Sequence, residues 1–391
     1  MPVDNGRRNI ALLIAAQVLG QTASIALVAI SALVAFALTG GAGMATLPIA
    51  LGMVASAIFM MPASLFMRRY GRRRGFVLGA ALGALSGVCA VAALRRHSFA
   101  LFLGASVLAG AYQAFSQFYR FAAVESVPEA QRPRAISWVV SGGIVAAFGG
   151  PALARLAARA DMATYEFVFV LMTLLAILAM LLLSLLQLPL PLHRPRHQPV
   201  RPLWELVTQP LFLTAVSAST AAFAIMSSIM SATPLAMQLC GLPLTSATSV
   251  IQWHMLGMFV PSLFVGELIR RLGELRVMSL GAALLLLGIL IARQGQAAAN
   301  FYVALCLVGA GWNFMFIGGS ALLVGAWRPG EEATVQASHD LTVFAVGSLG
   351  AFYAGRVLDN AGWNRVNVFM LPLLAVALLM MFLTARRRAS H

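Results

Sequence analysis

Phe66-Met67-Arg68-Arg69-Tyr70-Gly71-Arg72-Arg73-Arg74 stands between two long apolar runs, and Leu268-Ile269-Arg270-Arg271-Leu272-Gly273 repeats its first part 202 residues later. Two arginines closing one apolar run, with a glycine before the next, read as a short basic turn between membrane crossings. Two further markers hold nearly the same offset. Leu108-Ala109-Gly110-Ala111 matches Leu307-Val308-Gly309-Ala310 at 199, and Ala135 matches Ala337 at 202, with Pro128-Glu129 near Pro329-Gly330-Glu331. A near-constant offset along half the chain indicates a duplicated helical unit.

The composition around these turns agrees. Of 391 residues, 60% are apolar and 10% charged, against about 45–50% and about 25% in a globular domain, so a soluble enzyme is excluded. Apolar runs place spans near 10–38, 44–67, 75–94, 98–124, 135–157, 164–188, 206–238, 245–269, 276–293, 298–326, 333–358 and 363–384. Runs this continuous are helices, since barrel strands alternate over about 10 residues. The expected fold is all-α: twelve transmembrane helices in two pseudo-symmetric six-helix bundles. At about 20 residues per crossing, little chain is left for a separate soluble domain. Arg7-Arg8 precedes a first run longer than the roughly 7–15-residue core of a cleavable signal, so it reads as a retained span.

The net charge of +15 does not point to nucleic acid, because all 27 basic residues are Arg and most sit in short clusters between apolar runs. They read as topology determinants. Of them, 19 fall in one set of loops and tails and seven in the opposite set, with Arg120 inside a span. The positive-inside rule then puts both termini in the cytoplasm and requires an even number of spans; the expected location is a bacterial inner membrane. The proline-rich stretch 189–205, with His193 and His197, reads as a cytoplasmic linker between bundles 1–188 and 206–391. Cys89, Cys240 and Cys306 lack disulfide or metal spacing, and neither a metal nor a cofactor is expected.

Twelve spans, a central linker and Arg69-Tyr70-Gly71-Arg72-Arg73 together resemble the major facilitator superfamily of secondary transporters. The first loop looks like that family's G-x-L-a-D-R-x-G-R-R signature, and Pro128-Glu129-Ala130-Gln131-Arg132-Pro133-Arg134-Ala135 like its second acidic-basic loop. The resemblance implies two bundles around a cavity that opens alternately to each side, lined by spans one, four, seven and ten. Its partners would be a small-molecule substrate, a proton or other coupling ion and the lipid bilayer, and a monomer is expected. The sequence also departs from the family pattern. Arg68 and its copy Arg270 stand where the family has Asp, Ser106 stands where the antiporter signature has Arg, and Gly150-Pro151 is all that remains of the span-five signature. Proton-antiporting drug efflux therefore lacks its motifs, and import and export both stay open.

Arg120 is the sharpest signal within the spans, because a guanidinium at that depth is costly and faces a cavity or a partner. Tyr112, Ser116 and Arg120 recur at helical spacing with Gln113 and Gln117 beside them, giving span four a polar, aromatic face. An Arg there favours an anionic or carbonyl-rich solute, and the aromatic neighbours favour a ring. Gln17, Gln21 and Ser24 on span one, Thr220, Ser227, Ser228 and Ser231 on span seven, and Trp312, Asn313 and Ser320 on span ten add hydrogen-bonding groups. Phe115, Phe118, Tyr119, Trp253 and Trp312 could stack on a ring. Proton coupling needs a titratable group at depth. Asp340 is the better candidate, with His339 and His254 as the others.

In the family this sequence resembles, the first loop's Asp lies near the start of span eleven, and the resemblance implies a gate in the same loops. Arg68, with Arg69 and Gly71 in its turn, is expected to meet Glu331 and Glu332 at the start of span eleven. Arg270, with Arg271 and Gly273, is expected to meet Glu125 and Glu129. Two other classes lack their features in this sequence. An intramembrane enzyme would use His254, His339 and Asp340, but no nucleophile motif accompanies them. A non-transporting sensor or scaffold would need an output domain.

Overall fold

The computed structural model describes residues 3–39, 47–156, 162–188, 201–242 and 244–389, and among them the chain is all helical. The linker stretch 189–200, with His193 and His197, lies outside the described residues. The first eight α-helices are α1 (Val3–Thr39), α2 (Leu47–Tyr70), α3 (Arg72–Arg95), α4 (Phe99–Ser116), α5 (Tyr119–Val124), α6 (Arg132–Ser141), α7 (Gly143–Leu156) and α8 (Met162–Ser184). After a short α9 (Leu203–Val207) come α10 (Pro210–Leu239), α11 (Leu244–Phe259), α12 (Val265–Leu272), α13 (Glu274–Gln294), α14 (Ala298–Leu323), α15 (Glu332–Val366) and α16 (Leu371–Ala389).

Among the described residues, ten helical stretches are long and apolar enough to cross a membrane. An eleventh counts if the bent pair Ser249–Leu263 and Val265–Leu272 is one span. This is a multi-pass membrane protein, but the expected count of twelve is not reached on length and composition. The shortfall is at α16, where Arg386, Arg387 and Arg388 close the helix and leave 371–385 as its uncharged run. Two expected boundaries also shift. Span eleven continues past 358 to Val366 across a kink at Gly362, whose φ of 74° lies outside the helical region, and the last helix starts at Leu371 rather than 363.

The two basic turns share one conformation. Gly71 has φ 88° and ψ 154°, and Gly273 has φ 83° and ψ 160°. Each glycine N–H closes the preceding helix, Gly71 onto Met67 O at 2.8 Å and Gly273 onto Ile269 O at 2.7 Å. A positive φ is cheap only for glycine, which accounts for the repeated Arg-Arg-x-Gly pattern.

By internal contacts the chain forms two units, Met1–Val127 with Gly142–His193, and Pro128–Ser141 with Arg194–His391. Thus α6 belongs to the second unit and α7 to the first. Within the first unit, α3 packs on α4, α2 on α4, and α1 on both α7 and α8. Within the second, α13 packs on α14, α11 on α14, and α10 on both α15 and α16. The glycine markers found in sequence sit at matching places in these pairs. A Cβ on Gly110 of α4 would lie 2.8 Å from Ala55 Cβ of α2, and one on Gly309 of α14 would lie 2.6 Å from His254 O of α11. Both helices approach too closely for any larger residue, as small-residue interfaces in membranes allow. The first unit's core gathers Ile30, Leu94, Phe102 and Phe169, with the two phenyl rings edge to face at 5.9 Å.

Candidate transport site

In the first unit, the polar faces of α1 and α4 meet. Ser24 Oγ donates to Gln113 Oε1 at 3.1 Å, and Gln17 Nε2 donates to Gln21 Oε1 at 3.4 Å. Tyr112 is buried, with its hydroxyl over Gly20 of α1 and its ring over Gly83 of α3. Ser116 Oγ donates back to Gln113 O at 2.9 Å, so the hydroxyl expected to meet a solute instead closes α4 at its last residue. The helix breaks there and resumes as α5, which carries Arg120. That side chain is 4% exposed, its Nη1 donates to Gln117 Oε1 at 3.0 Å, and its guanidinium lies 4.6 Å from the Phe121 ring centroid. The other aromatics serve packing or the surface. Tyr119 meets Phe76 edge to face, Phe115 faces Phe66, Phe118 lies under Arg72, and Trp253 is exposed.

In the second unit, Trp312 stacks on Phe316 at 4.9 Å, with Phe259 edge-on at 6.3 Å. Among the described residues, the buried Trp312 Nε1, Thr220 Oγ1 and Ser320 Oγ have no hydrogen-bond partner. Unpaired donors in a membrane interior are costly unless a ligand or water completes them. Ser227 and Ser228 are tied to backbone carbonyls, Gly347 O and Ala224 O. His339 Nδ1 and Asp340 Oδ1 are 2.8 Å apart and fully buried, and His254 Nδ1 meets Leu305 O at 2.7 Å.

Asn313, expected to hydrogen-bond a solute, repairs a broken helix. Pro261 ends α11 and a 3-10 turn, Val260–Leu263, leads to α12 across a bend of 50°. Proline removes one N–H and crowds the preceding turn, so nearby carbonyls lose their helical donors. Asn313 Nδ2 donates to Met258 O at 2.6 Å and to Ser262 Oγ at 2.5 Å. From α6, Ser137 Oγ donates to Ser262 O and accepts from Gly266 N at 3.1 Å. Side chains of two neighbouring helices thus satisfy the break, as membrane interiors require. Sequence reading missed Ser137, whose partners are 125 and 129 residues away.

The loop charges pair differently from the expected gate. Glu125 accepts from Arg72, Nε at 3.0 Å and Nη2 at 2.5 Å, rather than from Arg270. Glu267 takes Arg270 and Arg271 from its own helix and Arg134 from α6. Glu129 pairs with Arg132 at 3.4 Å, while Arg68 is exposed and Arg69 lies over Tyr70. Glu332 stands in the first turn of α15, where a carboxylate complements the helix dipole. The repeat preserves the turn but not its ion pairs, because the acidic partners were placed separately in each half.

Glu331, expected opposite Arg68, is buried with a 3% exposed side chain and binds Arg201, Nε to Oε1 at 3.0 Å and Nη2 to Oε2 at 2.5 Å. Arg328 N donates to the same carboxylate at 2.9 Å. The Arg201 hydrogen bonds, against the opposing effect of burial, hold the carboxyl down at about 2 from its ordinary 4.5. A carboxylate lowered by folding contributes stability that is present above 4.5 and is lost as pH falls towards about 2. Glu331→Gln is therefore expected to lower the Tm at pH 7 and to flatten the acid loss of stability in that window. Superimposable pH–Tm curves for the two proteins would remove this pair from the stability balance.

Among the described residues, no three His, Cys, Asp or Glu side chains gather as metal ligands would. Two helical units with one contact pattern, broken spans and polar helix faces define a membrane transporter of the secondary type. The chain belongs to the Major Facilitator Superfamily, whose family model matches residues 12–348. It is 35% identical over 388 residues to the riboflavin transporter RfnT of Brucella anthropi, covering 98% of this chain and 97% of that one. It is 26% identical over 379 residues to the uncharacterized MFS-type transporter YdeG of Bacillus subtilis, covering 93% and 88%. Among solved structures, the MFS transporter FucP in its outward conformation aligns with TM-score 0.81 at 16% identity, over 96% of this chain and 98% of FucP. The human organic anion transporter MFSD10 aligns with TM-score 0.76 at 15% identity, over 96% and 99%. At these identities the two structures speak for the fold.

Proposed function

We propose that this protein moves riboflavin, or a solute with the same kind of planar heteroaromatic ring, across the bacterial inner membrane by alternating access. The near end-to-end 35% identity to a riboflavin transporter carries this reading. The side chains support it. A flavin-type ring presents carbonyls and ring nitrogens along its edge and an apolar face. Within the first unit, Gln17, Gln21, Gln113 and Gln117 offer amides and Arg120 a planar donor. Within the second, taken by itself, Trp312 and Phe316 form a stacked aromatic pair. The substrate class thereby narrows from anionic or aromatic to heteroaromatic and carbonyl-rich.

Twelve crossings follow if α4 with α5, α6 with α7, and α11 with α12 each make one span and α16 is the twelfth. That even number, with 19 arginines on one side, supports two cytoplasmic termini. The test is uptake of labelled riboflavin by purified protein in liposomes, with unlabelled riboflavin and an unrelated sugar as competitors. Saturable uptake blocked by riboflavin alone is the expected result, and its absence under both inward and outward gradients would refute the substrate.

Proton coupling is assigned to Asp340, which is fully buried beside His339. Asp340→Asn is expected to abolish accumulation driven by a pH gradient, at least tenfold, while counterflow of riboflavin survives. Undiminished gradient-driven accumulation by the variant would place the coupling elsewhere.

A further inference from the structure

Helices α3 and α8 touch closely at Gly87, where a Cβ would lie 3.2 Å from both Phe169 O and Thr173 Cβ. Beside that contact, towards Arg95, they flank a cavity of about 400 Å³ lined by Val88, Val91, Ala92, Val170, Thr173 and Leu174. The groove opens outward, since Val88, Val170 and Leu174 are 54%, 42% and 55% exposed. Its walls offer no free polar group, because Thr173 Oγ1 donates to Phe169 O at 2.8 Å. At its mouth stand Arg95 and Arg96. Arg95 Nε donates to Glu166 Oε2 at 2.9 Å, and among the described residues no carboxylate pairs with the exposed Arg96.

An apolar groove on the outer face of two membrane-spanning helices is bathed in hydrocarbon rather than water. From Arg95 down to Val88 is seven residues of helix, roughly 10 Å at 1.5 Å per residue, which is the depth of the upper part of one leaflet. The charges sit where headgroups lie. Two arginines against one glutamate leave a net positive mouth, and a guanidinium binds phosphate oxygens through paired N–H groups. Volume, apolar walls and charge thus describe one occupant.

We propose that this groove binds a single anionic glycerophospholipid, with an acyl chain between α3 and α8 and its phosphate on Arg96, steadied by Arg95. In the proposed orientation the lipid belongs to the outer leaflet. The assignment is independent of which solute is carried.

The test uses delipidated full-length protein in detergent, titrated with phosphatidylglycerol or with phosphatidylcholine of identical chains. Bound lipid is read by native mass spectrometry, with the Tm of the lipid-free protein as a folding check. Phosphatidylglycerol is expected to saturate at one molecule per chain and to bind at least fivefold more tightly than phosphatidylcholine. Arg96→Ala should erase that preference. Val170→Trp, which fills the groove from its exposed wall, should lose the retained lipid altogether. Arg293→Ala, an arginine of α13 in the other unit, should change neither. Equal binding of the two lipids by the unaltered protein, or an unchanged preference in Arg96→Ala, overturns the charge assignment. One-to-one retention by a folded Val170→Trp overturns the groove.

Discussion

Gly266→Val is expected to abolish transport and to lower the Tm more than any loop-charge substitution. A Cβ on Gly266 would lie 2.7 Å from Arg134 Cα, 2.8 Å from Pro133 O and 2.8 Å from Ser137 Cβ. Two of those three neighbours are backbone, so no rotamer change relieves the clash and α6 must move away from α12. Overpacking that side chains can absorb costs about 1–3 kcal/mol, and here the relief also breaks polar contacts. Ser137 Oγ would lose Gly266 N and Ser262 O, and Arg134 would leave Glu267. Freed backbone groups at a break inside a membrane find no water to replace these partners. Gly273→Ala is the comparison, since it strains a positive φ with nothing within 4 Å of the new Cβ, at about 1 kcal/mol. Full transport by Gly266→Val, measured beside Tm, would show that α6 is not fixed to α12 by this approach.

The contrast between Gly266 and Gly273 also marks what the sequence could reveal. Gly273 was legible because a turn leaves a local pattern, Arg-Arg-x-Gly, and the repeat doubled it. The helices were legible because a hydrocarbon solvent requires long uncharged runs. The breaks were not. Pro62, Pro151 and Pro234 lie inside helices that continue past them, whereas Pro261 sits in the turn that ends one. Asn313 and Ser137 supply the hydrogen bonds at that break, and both lie far along the chain from it. The same holds for the charges. Arg-rich loops announce a side of the membrane, but Arg72 finds Glu125 53 residues away, Arg201 finds Glu331 at 130 and Arg134 finds Glu267 at 133. Expecting Arg68 opposite Glu331 followed the resemblance, and expecting Arg270 opposite Glu125 relied on pseudo-symmetry, which preserved the turn while each half chose its own acid.

The second large effect is expected at Arg120, where Arg120→Ala should lower transport of the proposed solute by more than tenfold. The residue was found from its chemistry alone, a guanidinium inside an apolar run. The structure adds that it begins after the break that follows Ser116, is 4% exposed and shares Gln117 Oε1 at 3.0 Å. Its guanidinium carbon lies 4.6 Å from the Phe121 ring centroid, a cation–π contact that helps hold the side chain in place. Arg120→Lys keeps the charge but loses both the fork and the ring contact, so it should not restore transport. Gln117→Ala removes only one orienting acceptor and should raise KM several-fold with a smaller loss of maximal rate. That ordering separates a solute contact from packing, because a purely structural arginine would move Tm and leave KM alone. Alanine also takes a donor from the half-buried Gln117 Oε1, so Tm must be measured beside transport in each variant. Unaltered transport by both Arg120→Lys and Arg120→Ala would take the residue out of the solute's path.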